Sequence, residues 1–118
     1  MTATNQIDLF FRYTVKDQAR YQDYLDQVFP LTQNETYVLE YHIDREANGT
    51  MLQHERYENE AAIGKHTDNT AAAQAAFAES TEINDFRAVG PLSDEFRNLI
   101  GGMGLPAAFF DRFRSVDR

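Results

Sequence analysis

Hydrophobic periodicity along this chain switches between two residues and about 3.6 residues in a set succession, which leaves few folds open. Over 6–15, Ile7, Leu9, Phe11, Tyr13 and Val15 share one face while Asp8, Arg12 and Thr14 share the other, as in a strand with one buried side. Phe10 falls on the second face, so that face is not purely polar. Asp17 then stands where a helix N-cap is needed. After it, Tyr21, Tyr24, Leu25 and Val28 follow the i, i+3, i+4, i+7 spacing of an amphipathic helix. Pro30 disfavours helical geometry at Phe29 and predicts the helix end there.

The period returns to two over 36–45, where Tyr37, Leu39, Tyr41 and Ile43 alternate with Glu40, His42 and Asp44. Ala47-Asn48-Gly49 is a hairpin turn signal, because Asn and Gly tolerate positive φ. The partner strand runs over about 50–58. Asn59 caps a helix that reaches about His66, Thr67-Asp68-Asn69 interrupts it, and an alanine-rich helical piece carrying Phe77 spans 70–80. A fourth strand is predicted over 83–92. Ser93 caps a short helix whose buried stripe is Phe96, Leu99 and Ile100 and which ends at Gly101-Gly102. Residues 108–116, with Phe109, Phe110 and Phe113, read as a last strand or extended arm.

The order β-α-β-β-α-β is that of an α+β, ferredoxin-like domain, with helices covering one face of an antiparallel sheet. A single domain over 1–118 is expected, with its core at about 6–92 and a helix-plus-arm addition at 93–118. Two helices cover only one side of a four-stranded sheet, and neither side of this one is free of large apolar residues. Such faces mark interaction surfaces. The expected arrangement is a C2 homodimer joined through its sheet faces, with the C-terminal arm exchanged and a small-molecule hollow between sheet and helices.

Charge and composition exclude several classes of function. The net charge is −8 and Lys and Arg form no cluster, so nucleic acid is not an expected partner. No apolar run approaches the roughly 20 residues of a membrane-spanning helix. The first six residues have neither a basic nor an apolar signal region, so cytoplasmic residence is the expectation. The chain has no cysteine, which removes disulfides, thiolate nucleophiles and iron–sulfur ligands. Metal ligands are limited to His42, His54, His66 and carboxylates; no His-x-His and no i, i+4 His pair is present, and no metal is expected.

The stretch Glu55-x-Tyr57, followed nine residues after Tyr57 by His66 with Ala62 and Ile63 between, resembles the antibiotic biosynthesis monooxygenase family. The resemblance covers roughly 6–92. It implies a dimeric α+β barrel, two ferredoxin-like units joined sheet to sheet. Family activities include oxidation of quinols or anthrone-like polyketides by molecular oxygen without metal, flavin or haem, and degradation of haem. The haem-degrading pattern of Asn, Trp and His falls here on Phe11, His66 and Ala76, so all three are lost. The anthrone-oxidising pattern fares better. Tyr41-His42 matches its Tyr-His pair, Gln53 stands for its Asn and Tyr57 for its Trp. The resemblance therefore implies a cofactor-independent monooxygenase acting on a small quinol-like or polyketide-type aromatic, with a non-catalytic binding dimer as the alternative and a haem protein behind it.

Such oxygenation needs an electron-rich substrate anion, hence a base and donors for the charge that moves to oxygen. His42 or His66 is the expected base. Gln53 and Tyr57 are the expected oxyanion or orienting donors, Tyr41 and Phe77 the ring-contacting walls, and Arg56 the partner of an anionic substrate. Which of them meet depends on the hairpin. A two-residue Asn48-Gly49 loop sets His42 against Glu55 and Tyr41 against Arg56, with His42, Gln53 and Tyr57 on one face. A three-residue loop sets Tyr41 against Glu55 and His42 against His54, which makes a two-His metal site conceivable. One slip of register exchanges every side chain between faces.

Overall fold

The computed structural model describes residues 5–116; the outermost residues of the chain, including most of the segment read for a leader, lie outside them. The elements are β1 (Ile7–Val15), α1 (Gln18–Gln33), β2 (Val38–Arg45), β3 (Met51–Tyr57), α2 (Glu60–Asn69), α3 (Ala71–Ser80), β4 (Thr81–Val89), α4 (Asp94–Gly102) and β5 (Ala107–Phe110). They form a five-stranded sheet ordered β2-β3-β1-β4-β5. β1 runs antiparallel to β3 and β4, β2 antiparallel to β3, and β5 parallel to β4. This is the ferredoxin-like arrangement with one strand added at the β4 edge.

The caps read from sequence are in place. Asp17 Oδ1 accepts from Arg20 N–H, Asn59 Oδ1 from Ala62 N–H and Ser93 Oγ from Phe96 N–H. Each such cap contributes about 1 kcal/mol. Ile7, Leu9, Phe11 and Tyr13 are buried beneath the helices with Tyr21, Tyr24, Val28, Ala73, Ala76 and Phe77. Gly90 fits where a side chain would not: it has φ +128°, and a Cβ there would lie 2.6 Å from Gln6 O.

Five local expectations are corrected. α1 does not stop at Phe29 but runs through Pro30 to Gln33. Proline removes one helical hydrogen bond, while the added turn buries Thr32 below Val28, and Asn34 closes the end by donating from N–H to Leu31 O and Thr32 O. The break between α2 and α3 is confined to Thr70, because α2 continues through Asn69. β4 begins at Thr81 and ends at Val89 rather than spanning 83–92. In α4, Ile100 is buried but Leu99 is 63% exposed, since a single short helix turns only one stripe to the sheet. The last strand is also shorter than 108–116. Only Ala107–Phe110 pairs with β4; residues 111–116 are irregular, and Phe113 is 86% exposed.

Candidate active site beneath the helices

The hairpin adopts the three-residue loop. Glu46 N–H donates to Thr50 O at 2.8 Å, Gly49 lies in the loop with φ +95°, and Arg45 pairs with Met51. Tyr41 therefore opposes Glu55, and His42 opposes His54. This register sorts the candidate residues onto two faces.

Beneath the helices, Gln53 is fully buried and acts as the centre of a polar network. Its Oε1 accepts from the Tyr13 hydroxyl at 2.8 Å, and Tyr21 and Tyr13 share a hydrogen bond of 2.7 Å. Its Nε2 lies within reach of the Tyr24 hydroxyl (3.0 Å), the Tyr41 hydroxyl (3.1 Å) and Glu55 Oε2 (2.7 Å). Tyr57 donates its hydroxyl proton to Glu55 Oε1, and the Tyr24 and Tyr41 hydroxyls bond each other. Phe77 packs edge-on against Tyr13 at 4.9 Å and close to Tyr24.

His66 enters the same region from α2. Its Nδ1 lies 2.6 Å from Glu35 Oε1, and both side chains are almost wholly buried. The other Glu35 oxygen accepts from Asn69 Nδ2 at 2.7 Å and from the Tyr37 hydroxyl at 3.1 Å. A carboxylate surrounded by donors accepts only, so Nδ1–H points at Glu35 and Nε2 is the free nitrogen of the ring. That Nε2 is buried and has no hydrogen-bond partner among the described residues. The imidazole sits 5.5 Å from the Tyr41 ring and 5.7 Å from the Tyr57 ring.

The electrostatics follow from burial. Loss of solvation pushes the Tyr13, Tyr24, Tyr41 and Tyr57 hydroxyls above the ordinary phenol range, with Glu55 adding to the effect, so all four are proton donors. Burial likewise raises the Glu55 carboxyl, against the opposing effect of the hydrogen bonds from Tyr57 and Gln53 and of nearby His66.

Gln53, Tyr57, Tyr41, Phe77 and His66 are thus brought together, while His42 and Arg56 are not among them. His42 is exposed on the uncovered face, 3.0 Å from Glu40 Oε1. Arg56 lies on that face too, where its Nε donates to Asp8 Oδ1 at 2.8 Å and its Nη1 pairs with Glu40. The expected hollow is occupied by protein: Tyr13, Tyr24, Tyr57, Gln53 and His66 fill the space between sheet and helices. Two open surface clefts lie elsewhere, one of about 490 Å³ along Gly90, Pro91 and residues 111–115, the other of about 380 Å³ between Arg12 and the β2–β3 loop.

Sequence reasoning missed Tyr13, Tyr24 and Glu35. For the tyrosines a signal existed: a buried tyrosine hydroxyl needs a partner, so stripes holding tyrosine rather than phenylalanine announce a polar interior. For Glu35, in the polar link after α1, no local pattern points to His66, 31 residues away.

No protein-family model matches this chain, and no curated protein sequence does. Solved structures do. MupZ from Pseudomonas fluorescens superposes with a TM-score of 0.77 at 16% identity, covering 97% of this chain and 95% of its own. SnoaB, a cofactor-independent oxygenase from Streptomyces nogalater, gives 0.61 at 8% identity, covering 75% of this chain and 95% of its own. A Chloroflexus aurantiacus protein assigned to the antibiotic biosynthesis monooxygenases gives 0.61 at 9% identity, with the same coverages of 75% and 95%. At 97% coverage the likeness to MupZ extends into the C-terminal addition. The chain therefore has the ferredoxin-like α+β fold of the antibiotic biosynthesis monooxygenase-like proteins.

Proposed function

We propose that this protein is a cofactor-independent monooxygenase that oxidises a small phenol- or quinol-type aromatic with molecular oxygen, using His66 as base. The observation that carries this reading is the buried, unpartnered Nε2 of His66, whose opposite nitrogen is held by Glu35 at 2.6 Å. A base oriented through its far nitrogen by a carboxylate keeps one tautomer and direction, and the imidazolium it forms is stabilised. The description of SnoaB as a cofactor-independent oxygenase on the same fold adds support.

The chemistry needs no external reductant. Nε2 removes the acidic proton of the substrate, and the anion transfers electrons to O2. A C–O bond forms, the proton held on Nε2 returns to the outer oxygen to give a hydroperoxide, and the O–O bond breaks as the hydrogen on the same carbon is lost, releasing water and leaving a carbonyl. One oxygen atom enters the product and the other leaves as water; the substrate supplies all the electrons. The Tyr57 and Tyr41 hydroxyls and Gln53 Nε2 donate to the developing oxyanion. Because the interior is packed, the substrate gains access by displacing side chains at the rim. Half-buried Tyr41, whose ring meets Phe29 edge-on at 5.5 Å, is the residue placed to swing. The uncovered sheet face, which carries Phe10, Leu52 and Phe110 around its ion pairs, is the surface where a second copy packs, and sedimentation at micromolar concentration tests it.

A second reading rests on Glu55. A buried carboxyl raised by burial and flanked by donors is a proton source, which suits an oxygen-independent isomerisation or cyclisation. One assay separates the two. With a panel of hydroquinones, anthrones and naphthoquinols, the oxygenase consumes one O2 per product and stops under argon. Turnover that persists under argon selects the second reading. His66→Ala, with unchanged far-UV circular dichroism, is expected to lower kcat by about 10²-fold or more. No oxygen uptake with any member of the panel, or full activity in His66→Ala, sinks the oxygenase.

A further inference from the structure

The uncovered face holds a cluster that the proposed chemistry does not use. Glu40 and His42 stand two residues apart on β2 and share a face. The hairpin register sets His42 directly opposite His54 on β3, with the two imidazoles 5.9 Å apart and inclined by only 22°. One ligand atom from each of Glu40, His42 and His54 lies within 4.8 Å of the others. We propose that these three side chains bind a divalent transition-metal ion of the zinc, cobalt or nickel kind at the β2 edge of the sheet.

The donor set argues for that class of ion. Two imidazole nitrogens and one carboxylate oxygen suit borderline ions, whereas magnesium and calcium prefer oxygen alone. Three protein ligands leave further coordination positions, open to water or to a donor from the second copy proposed to pack on this face. The surroundings add the outer support that metal-binding histidines need. Asp8 Oδ1 lies 2.6 Å from His54 Nε2, so Nε2–H donates to Asp8 and the unprotonated Nδ1 is the metal donor. Phe10 stacks on His54 at 4.3 Å and fixes the ring plane. Arg56 holds the second oxygen of Glu40. Without metal, the same groups form an ion-pair and hydrogen-bond cluster in which His42 Nε2 meets Glu40 Oε1 at 3.0 Å. Binding requires His42 to exchange that contact for the ion. Since β2 is an edge strand, the ion would tie it to β3.

The test uses tag-free protein stripped with a chelator and then titrated with Zn²⁺ by calorimetry and with Co²⁺ by visible absorption. One equivalent per chain is expected. Glu40→Gln is expected to weaken binding at least tenfold, and His42→Ala and His54→Ala to abolish it. Paramagnetic broadening of imidazole signals by Co²⁺ in the parent protein is expected at His42 and His54 and not at His66; it requires no variant to fold. Absence of saturable binding, binding that survives the double variant His42→Ala/His54→Ala, or broadening centred on His66 each overturns the proposal.

Discussion

The two faces of one hairpin carry polar networks of opposite kinds. Beneath the helices the centre is a neutral amide, Gln53, ringed by tyrosine hydroxyls and one buried carboxyl. On the uncovered face the centre is a charge, Asp8, which meets His54 at 2.6 Å and Arg56 and Arg112 at 2.8 Å each. Both networks are drawn from alternating residues of the same strands, so 53, 55 and 57 face one way and 54 and 56 the other. The helix-covered side is desolvated and cannot hold unpaired ions, so it uses donors with high pKa values. The uncovered side offsets its buried aspartate with three basic side chains. The proposed proton-transfer site lies on the first face and the proposed ion-binding site on the second, and register decides which residues reach which.

The largest effect therefore comes from moving the register. Deleting Asp44 shifts residues 38–43 by one slot, which drives His42 inward against Gln53 and turns Tyr41 out to solvent. The cost is expected to exceed about 5 kcal/mol, comparable to the whole stability of a small domain. The deletion variant is then expected to show no cooperative thermal transition. Deleting Ala47 is the contrast. It leaves Asn48-Gly49 as a two-residue loop between Glu46 and Thr50, which already bond each other, so both faces survive. Its stability is expected to stay within about 1 kcal/mol of the parent. A cooperative, parent-like Asp44 deletion would break the claim that the two faces set the register.

How far this was legible in the sequence divides along the same line. The βαββαβ order, the buried stripe of β1 and the caps at Asp17, Asn59 and Ser93 depend on spacing within a few residues, and they are found where expected. The hairpin register was not legible, because Tyr41 and His42 are both amphipathic enough to sit on either face, and Asn48-Gly49 closes a loop of either length. The roles of Glu35 and Asp8 were not legible either. Glu35 reaches His66 only after α1 and α2 pack on the sheet, and Asp8 is buried by cations from β3 and from the C-terminal segment. Pro30 misled because the local penalty was read without Asn34, whose backbone N–H and side-chain amide donate to carbonyls of the turn that begins at the proline.

The next effect removes the neutral centre. Gln53→Leu keeps the volume but strips partners from Tyr13, Tyr24, Tyr41 and Glu55 at once. Buried polar groups left without partners cost about 1–3 kcal/mol each, although the phenols can partly re-pair among themselves. A loss of about 2–4 kcal/mol is expected from chemical denaturation, near the upper end for a single substitution. A loss under about 0.5 kcal/mol would mean that the tyrosines satisfy one another and that Gln53 only fills space.

The smallest effect sets the two carboxyls against each other through pH, in metal-free buffer. Burial alone would raise Asp8, but hydrogen bonds from His54, Arg112 and Arg56 outweigh it and hold its pKa below the ordinary 3.8. Its contribution is present in full above that value and disappears as pH falls through the folded-state pKa. Glu55 behaves oppositely. Burial raises it above the ordinary 4.5, so the folded state keeps a proton that the unfolded chain releases, and stability declines as pH rises from 4.5 through the folded-state pKa. Glu55→Gln, measured by denaturation midpoints across the acid range, is expected to remove the decline above 4.5 and leave the acid limb in place. Asp8→Asn is expected to flatten the acid limb and leave the decline. Each pKa unit of difference corresponds to about 1.4 kcal/mol, so the slopes are modest but opposite in sign. If both variants changed the same limb, the helix-covered and uncovered faces would not be electrostatically distinct, and Glu55 would lose its standing as the buried acid of the site.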